Sequence, residues 1–387
     1  MLRTILAASV LLLVMEAPKL AAQSRSTSGP KKMRVCAAQS SPPWVNWHLN
    51  SAKALLEANR TIDELVKVVD HAGSAGCDVF TLPEDSLGVL HWEVANKPVM
   101  RELLQPAVAR MLDRLGRASA AHHMYLVCSS DTAESDGSYR NTAFFLGRDG
   151  REIGRYYKVH PTIAESDRVR GEGFPVFETP DLGGVGMLIC YDMVMPESSR
   201  SLALNGADVI FLSTMGGAVT TGDESLNLAA FRTRAADNYV YLVIAMRSGA
   251  MIVSPQGAVL SEARQSGGIA MADIDPFGGR EGGDALNSQR DMRARLFRER
   301  NPAAYSVLTD PNPPALKKIP ATITIEEAVR IGSGLLTVGE ERFAEAEALM
   351  RSGKSTEAAR AFAKLREDFP ATWIDREAEK RMAAIHK

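Results

Sequence analysis

Short apolar runs recur along the chain and alternate with segments whose apolar residues have helical spacing. The runs "MRVCAAQ", "CDVFTLPE" and "MYLVCSS" alternate with helical patterns over residues 50–76 and 98–121. A second set, "VGMLIC", "ADVIFLS" and "YVYLVIA", alternates with helical patterns over 196–205 and 223–238. Strands this continuously apolar are buried on both faces. The pattern therefore predicts an α/β protein with sheets inside and helices outside.

Two pairs of strand-like runs have no helical segment between them. "YRNTAFFLG" and "REIGRYYK" are joined by "RDG", in which the Asp-Gly pair indicates a hairpin turn. "AMIVSP" and "AVLSE" follow later in the chain. With 387 residues, of which 45% are hydrophobic and 24% charged, the chain can bury a sizeable core. Its net charge of -2 shows no basic bias, so nucleic acid is not expected as a partner.

The end of the chain has a different character from the α/β part. Residues 286–335 are polar and Pro-rich, which is typical of an arm and a linker. Residues 336–387 contain three short amphipathic stretches, with a turn at Gly353 and a stop at Pro370. The spacing is similar to one tetratricopeptide-type helical hairpin followed by a capping helix. A lone repeat builds no solenoid, so this segment is either a packing appendage or an element that binds a protein partner.

The N-terminus has the features of a secretory signal peptide. Arg3 precedes an apolar run over 5–15, and the small residues of "EAPKLAAQS" suit cleavage after Ala22. The alternative is a membrane anchor, but this run is well short of the roughly 20 residues that a spanning helix needs. We therefore expect a signal peptide over 1–22, a polar leader over 23–31, and export to the periplasm or the medium.

Four cysteines and seven histidines set the expectations for disulfides and metals. Cys36, Cys77, Cys128 and Cys190 form no Cys-x-x-Cys pair, and no HExxH motif or Cys/His cluster is present. We therefore expect no metal and no other cofactor. If Cys190 must remain a free thiol in an oxidising compartment, at most one disulfide can form among the other three, and the pairing stays open.

Cys190 ends an apolar run in "GVGMLICYDMVMPE", where a buried structural thiol and a nucleophile are both possible. Other strand-like runs also end in ionisable residues: Glu84 closes "CDVFTLPE" and Lys158 closes "REIGRYYK". Glu165 follows Lys158 by seven residues. A base, a cation and a thiol are the set that an acyl-transfer site needs. The four residues therefore form a candidate catalytic site.

Three segments, "LPEDSLG", "YYKVHPT" and "GMLICYDMVMPE", resemble in this order the signature segments of the nitrilase superfamily of carbon-nitrogen hydrolases. The later segments "LNGADVIFLS", "FRTRAADNYVYLV" and "SPQGAVL" are also similar to the family, as is "RARLFRERNPAAY" to its C-terminal arm. We place the hydrolase domain at 32–285. The resemblance implies a four-layer α-β-β-α sandwich, to which a small all-α hairpin is added at the C-terminus.

The resemblance also implies a role for each candidate residue. Glu84 is the general base, Lys158 the cation that stabilises the oxyanion, and Cys190 the nucleophile that forms a thioester. Glu165 orients Lys158 and the substrate. Together they imply hydrolysis of a non-peptide carbon-nitrogen bond, with release of ammonia or an amine.

Substrate binding is assigned to Tyr191 and Met215. The Tyr191-Asp192 pair after the cysteine is similar to the amidase and carbamoylase branches, whereas nitrilases usually carry Trp-Glu there. We therefore expect a small amide or N-carbamoyl substrate. The family also implies a homodimer or a higher homo-oligomer.

Other functions remain open at this point. Nitrile hydrolysis or acyl transfer could use the same triad, and a papain-like hydrolase would need a histidine base such as His160. A non-catalytic exported scaffold could bind partners through the C-terminal hairpin. The catalytic triad lies before residue 191, and a Pro-rich linker separates it from residues 336–387. We therefore expect residues 336–387 to be dispensable for hydrolysis.

Overall fold

Two six-stranded mixed sheets form the α/β part of the protein. The structure is a computed structural model that describes residues 32–216, 224–281 and 291–385. The predicted signal peptide, the polar leader and the domain boundary at residue 285 lie outside the described residues. The first described element is the first strand of the α/β part, which begins at Met33.

The first sheet has the strand order β12-β1-β2-β3-β4-β5 and the second the order β11-β10-β9-β8-β7-β6. The strands are β1 Met33–Ala38, β2 Val79–Thr81, β3 Tyr125–Ala133, β4 Tyr139–Leu146, β5 Glu152–Tyr157, β6 Val176–Thr179, β7 Gly183–Ile189, β8 Val209–Thr214, β9 Tyr241–Met246, β10 Ala250–Val253, β11 Val259–Ala263 and β12 Ile269–Ile274. In each sheet the central strands are parallel, β1-β2-β3 in the first and β7-β8-β9 in the second, and the outer ones pair antiparallel.

The helices lie between and after these strands. They are α1 Ser51–Ser74, α2 Leu90–Ala95, α3 Met100–Ala121, α4 Pro196–Leu204, α5 Glu224–Asn238, α6 Met292–Phe297, α7 Ile325–Gly334, α8 Glu340–Arg351, α9 Ser355–Asp368 and α10 Trp373–Ile385. A π-helical stretch, Leu335–Gly339, joins α7 to α8. Asn50 is the N-cap of α1: its Oδ1 accepts a hydrogen bond from the backbone N–H of Lys53.

Strand β1 shows how the first sheet divides its side chains between two hydrophobic clusters. Val35 and Ala37 belong to a cluster that includes residues of β7, β8 and β9 in the second sheet. Cys36 and Ala38 point the other way, into a cluster formed with α1 and α3. This alternation follows from the two-residue repeat of a strand. The first sheet is therefore covered on one face by helices and on the other by strands.

The predicted strands and helices of the α/β part are present with small changes at their ends. The predicted strand 77–84 pairs only over β2, because Pro83 has no N–H to donate and the chain leaves the sheet before Glu84. Strands β6 and β12 and helix α2 are additional elements. The α/β class is confirmed.

The C-terminal part is helical, and its helices begin earlier than the sequence pattern indicates. Helix α7 begins at Ile325, inside the segment predicted to be a linker, and Thr324 accepts a hydrogen bond from the backbone N–H of Glu327 at 3.2 Å. Helices α8, α9 and α10 pack around buried residues that include Phe343 and Phe362, whose ring centroids lie 5.5 Å apart. An all-α C-terminal region is therefore present.

A disulfide joins Cys36 of β1 to Cys77, two residues before β2. It leaves Cys128 and Cys190 as the free thiols of the described chain. The disulfide settles the pairing that the sequence left open.

Among the helices of the described residues, none combines the length and the apolar character that crossing a bilayer requires.

Candidate active site

Three strands end where predicted catalytic side chains lie. Glu84 follows β2, Lys158 follows β5 directly, and Cys190 follows β7. Because β2 and β7 are central parallel strands of the two sheets, their carboxyl ends are a usual place for an active site in α/β proteins. The short 3₁₀ helix Ile163–Glu165 supplies the fourth predicted residue.

The ammonium group of Lys158 lies between two carboxylates. Its Nζ is 2.8 Å from Oε1 of Glu84 and 2.7 Å from Oε2 of Glu165. All three side chains are essentially inaccessible to solvent. Buried charges are stable only when they are paired and hydrogen-bonded, so this trio must be held together by its surroundings.

Three neighbouring groups hold the two carboxylates in place. The Nδ2 of Asn141 donates to Oε1 of Glu84 at 3.0 Å and to Oε1 of Glu165 at 2.5 Å. The backbone N–H of Met215 donates to Oε2 of Glu84 at 3.2 Å. Thr162 donates to Oε2 of Glu165 from its backbone N–H at 3.0 Å and from its hydroxyl at 2.8 Å. Each carboxylate thus has a fixed orientation around the lysine.

These surroundings give the two glutamates different acidities. Burial alone would raise the pKa of Glu165, but the charge of Lys158 and the hydrogen bonds outweigh it and lower that pKa to about 2. The pKa of Glu84 is raised, because burial and the negative charge of Glu165 outweigh the effect of Lys158. Burial lowers the pKa of Lys158, but the two carboxylates overcome it and raise this pKa well above the usual value. Lys158 and Glu165 therefore stay charged, whereas Glu84 is the better proton acceptor.

Cys190 begins a 3₁₀ helix with a left-handed backbone conformation, φ 44°. This conformation is costly for a residue other than glycine, and such strain is concentrated at functional sites. The half-buried side chain lines a cavity of about 200 Å³. Burial, followed by the charge of Glu84, raises the pKa of Cys190 to about 12, so the thiol needs a base to become a nucleophile. The carboxylate of Glu84 is the charged group with the largest effect on this pKa, which makes it the candidate base.

The cavity beside Cys190 has a mostly apolar lining. Its lining comes from the residues Thr162, Cys190, Tyr191, Met193, Val194, Leu212, Thr214, Gly216, Phe231 and Met246. Most of these side chains are apolar, with hydroxyl groups at three positions. A larger cavity of about 630 Å³ lies between α1 and residues 40–46, away from the catalytic groups.

Asp192 fixes the turn that carries Cys190. Its buried carboxylate accepts hydrogen bonds from the Tyr156 hydroxyl at 2.7 Å and from the backbone N–H of Ile189 at 3.1 Å. It also accepts from the backbone N–H of His160 at 2.9 Å, and the ring Nδ1 of His160 lies 2.8 Å away. The charged groups that act on the Cys190 thiol are Glu84, Lys158 and Glu165 rather than His160, so the papain-like alternative lacks support.

Arg168 anchors the loop that carries Glu165. The guanidinium is buried and lies 2.5 Å from Oδ2 of Asp131 and 3.0 Å from Oε2 of Glu93. Its backbone N–H donates to the carbonyl oxygen of Glu165 at 2.8 Å. The ion pairs therefore tie the Glu165 loop to β3 and α2.

The structure brings Glu84, Lys158 and Glu165 together at hydrogen-bonding distances and places Cys190 beside them. Tyr191 is exposed and lines the cavity. Met215 lies on the other side of Glu84: its backbone contacts that carboxylate, while its side chain packs against a small apolar cluster.

Sequence reasoning did not identify Asn141, Thr162 or Arg168. Asn141 lies between Arg140 and Thr142 in the polar first half of β4, so no signal in the sequence distinguishes it from its neighbours. In the described ranges, no group of three or more histidine, cysteine or acidic side chains is arranged to hold a metal ion.

Comparisons with known proteins identify the family of the chain. A family model described as carbon-nitrogen hydrolase matches residues 34–281. A deaminated glutathione amidase from Synechocystis sp. is 33% identical over 162 residues, which cover 36% of this chain and 59% of the amidase. The match thus spans less than two thirds of that relative.

Longer matches are found with other relatives. An omega-amidase from Homo sapiens is 30% identical over 265 residues, or 62% of this chain and 88% of the omega-amidase. A nitrilase from Pyrococcus abyssi is 31% identical over 247 residues, or 58% of this chain and 86% of the nitrilase. The crystal structure of an amidase from Nesterenkonia sp. superposes with a TM-score of 0.55 at 19% identity, covering 71% of this chain and 95% of the amidase. This last likeness concerns the fold alone.

Proposed function

The chain belongs to the carbon-nitrogen hydrolase family, and from this premise we propose that it hydrolyses an amide or N-carbamoyl compound through a thioester on Cys190. The observation that carries the proposal is Lys158 held between two buried carboxylates at 2.8 and 2.7 Å, close enough to the Cys190 thiol for the charges of Lys158 and Glu84 to shift its pKa. A base, a cation and a nucleophile in contact are what acyl transfer from nitrogen requires.

In the first half of the proposed reaction, Glu84 takes the proton of Cys190 as the sulfur attacks the carbonyl carbon. The carbonyl π electrons move to oxygen, and Lys158 and the backbone N–H of Tyr191 stabilise the resulting oxyanion. When the tetrahedral intermediate collapses, the carbon-nitrogen bond breaks. Glu84 returns its proton to the nitrogen, and ammonia or an amine leaves.

In the second half, water attacks the thioester carbon while Glu84 accepts a proton from it. The carbon-sulfur bond breaks, the proton returns to the sulfur, and the acid product leaves. Glu165 stays ionised throughout, because its pKa of about 2 keeps it a constant counter-charge for Lys158. The proposed division of labour therefore follows from the different acidities of the two glutamates.

Hydrolysis of a nitrile on the same triad is the second candidate, because one of the relatives is a nitrilase. The Tyr191-Asp192 pair and the amidase relatives favour an amide or carbamoyl substrate. Matched pairs of amides and nitriles, assayed for ammonia release, separate the two functions through kcat/KM. A tenfold preference for the nitrile, about 1.4 kcal/mol of transition-state binding, would reverse the assignment.

The proposal also extends to architecture and location. The alternating faces of β1, with α1 and α3 on one side and the second sheet on the other, support a four-layer sandwich. The packing of α8 against α9 supports a tetratricopeptide-like hairpin.

The Cys36–Cys77 disulfide supports export, since disulfides persist in oxidising compartments. A homodimer or a higher homo-oligomer completes the proposal by family likeness, and acyl transfer or partner binding through the hairpin are its alternatives.

A further inference from the structure

The C-terminal helices lie directly on the loop that carries Glu165. At Gly332 in α7, an added Cβ atom would lie 2.4 Å from Cα of Ala164 and 2.6 Å from its backbone nitrogen. Backbone atoms cannot give way as a flexible side chain can, so only glycine fits at this position. Ala164 immediately precedes Glu165 in the same 3₁₀ helix. The spacing of α7 from this loop therefore determines where Glu165 lies.

A second contact reaches the other carboxylate. The side chain of Leu336, in the π-helical stretch after α7, packs in an apolar cluster with Leu90, Ala164 and Met215. The backbone N–H of Met215 is the group that donates to Oε2 of Glu84 at 3.2 Å. One short stretch of the C-terminal region thus contacts neighbours of both carboxylates that flank Lys158.

Polar contacts with α2 fix this stretch in position. The hydroxyl of Ser333 donates to the carbonyl oxygen of Val94 at 3.0 Å. His91 Nε2 lies 2.7 Å from Oε2 of Glu340 at the start of α8. Helix α2 also supplies Glu93, the buried partner of Arg168. The C-terminal stretch and the Glu165 loop are therefore attached to the same short helix.

We infer that Gly332, Ser333 and Leu336 are positioning residues of the active site, which hold Glu165 and Glu84 at their distances from Lys158. The inference rests on the proposed function. It reverses the expectation that the Pro-rich linker leads to a dispensable C-terminal appendage. The cavity beside Cys190 is lined by residues between 162 and 246, so these C-terminal residues do not line it themselves and act through the groups that hold the carboxylates.

Two alanine substitutions in one helix test the inference. Gly332→Ala forces the Glu165 loop away, whereas Gly334→Ala places its Cβ at an ordinary 3.5 Å from Phe369 and is the matched control. A displacement of the order of 1 Å at catalytic groups costs about 10²-fold, so we expect Gly332→Ala to lower kcat by about tenfold or more, with KM little changed. Gly334→Ala should keep both constants.

Alkylation of Cys190 by iodoacetamide gives a readout that needs no substrate. The rate near neutral pH depends on Glu84 as proton acceptor, so Gly332→Ala should slow it by a factor similar to that in kcat. Peptide mass spectrometry assigns the label to Cys190 rather than to Cys128. If the wild type hydrolyses no amide while Gly332→Ala still slows alkylation, the proposed function fails and the positioning role stands.

A second substitution covers the case in which Gly332→Ala does not fold. Leu336→Ala removes the contact with Met215, and Leu336→Met restores most of its volume. We expect slower turnover and slower alkylation for the alanine variant and near-normal rates for the methionine variant. Equal rates for wild type, Gly332→Ala and Leu336→Ala, in proteins that fold, would overturn the inference.

Discussion

At the scale of single residues, Lys158 keeps its charge because two carboxylates share it. Removing either carboxylate changes what the other does. Without Glu84 the thiol has no acceptor for its proton, since the pKa of Cys190 is about 12. Without Glu165 the lysine is left to pair with Glu84 alone, and that stronger pairing makes Glu84 a poorer base.

The pH dependence of activity should report Glu84. Its pKa is raised, chiefly by burial, so on acidification it takes up its proton at a higher pH than an exposed glutamate does. Because the ionised form is the base, kcat/KM should fall with decreasing pH above the ordinary glutamate range. The profile of wild type measured from pH 4 to pH 9 checks this. A plateau that extends below pH 4 would contradict the assignment of Glu84.

Asn141 offers a second test at this scale. It donates to both carboxylates, so Asn141→Ala should lower kcat by about 10-fold to 10²-fold through misplacement of catalytic groups. Asn205→Ala, which removes a hydrogen bond from an exposed side chain to Phe174, is the control and should retain activity. Steady-state kinetics of the two variants provide the measurement. An unchanged kcat in Asn141→Ala would show that the bridging amide is not needed.

At the scale of secondary-structure elements, the parts that the sequence predicts are those with local signals. The apolar run before Cys190 and the helical spacing of α1 correspond to elements of nearly the expected length. Strand β12 was not predicted, because the strand with which it pairs, β1, lies more than 200 residues earlier in the chain. Helix α7 lies inside the segment that the sequence pattern predicts to be a linker. Thr324 followed by Glu327 is nevertheless a helix N-terminal signature.

The candidate site divides in the same way. Glu84, Lys158 and Cys190 end strand-like runs, so the sequence alone indicates their positions. The contacts of Asn141, Arg168 and Gly332 join segments far apart in the chain. No local pattern specifies such contacts, because they depend on the packing of the whole fold.

The disulfide between Cys36 in β1 and Cys77, just before β2, allows a stability test. It closes a loop of about 40 residues, and cross-links of this size contribute roughly 3–4 kcal/mol. The double variant Cys36→Ala/Cys77→Ala should therefore unfold at a clearly lower denaturant concentration. Cys128→Ala removes a buried sulfur without opening a loop and is the control. Equal losses of stability per sulfur removed would mean that the cross-link itself contributes nothing.

At the scale of the whole molecule, the proposed location and the covalent chemistry depend on each other. Export would allow Cys36 and Cys77 to remain oxidised while Cys190 stays free in its cavity. A fusion that carries residues 1–30 should appear outside the cytoplasm, with its new N-terminus at or near Gln23. N-terminal sequencing of the exported product tests this. Full-length fusion found only in the cytosol would contradict export.

The covalent intermediate is the central claim, and intact-protein mass spectrometry during turnover tests it most directly. With an amide substrate that is hydrolysed, wild type and Cys128→Ala should each gain the mass of one acyl group. Cys190→Ala should gain none and release no ammonia, while its circular dichroism spectrum stays that of wild type. Ammonia release by Cys190→Ala at a rate near that of wild type, or an acyl group on any other residue, would contradict the account.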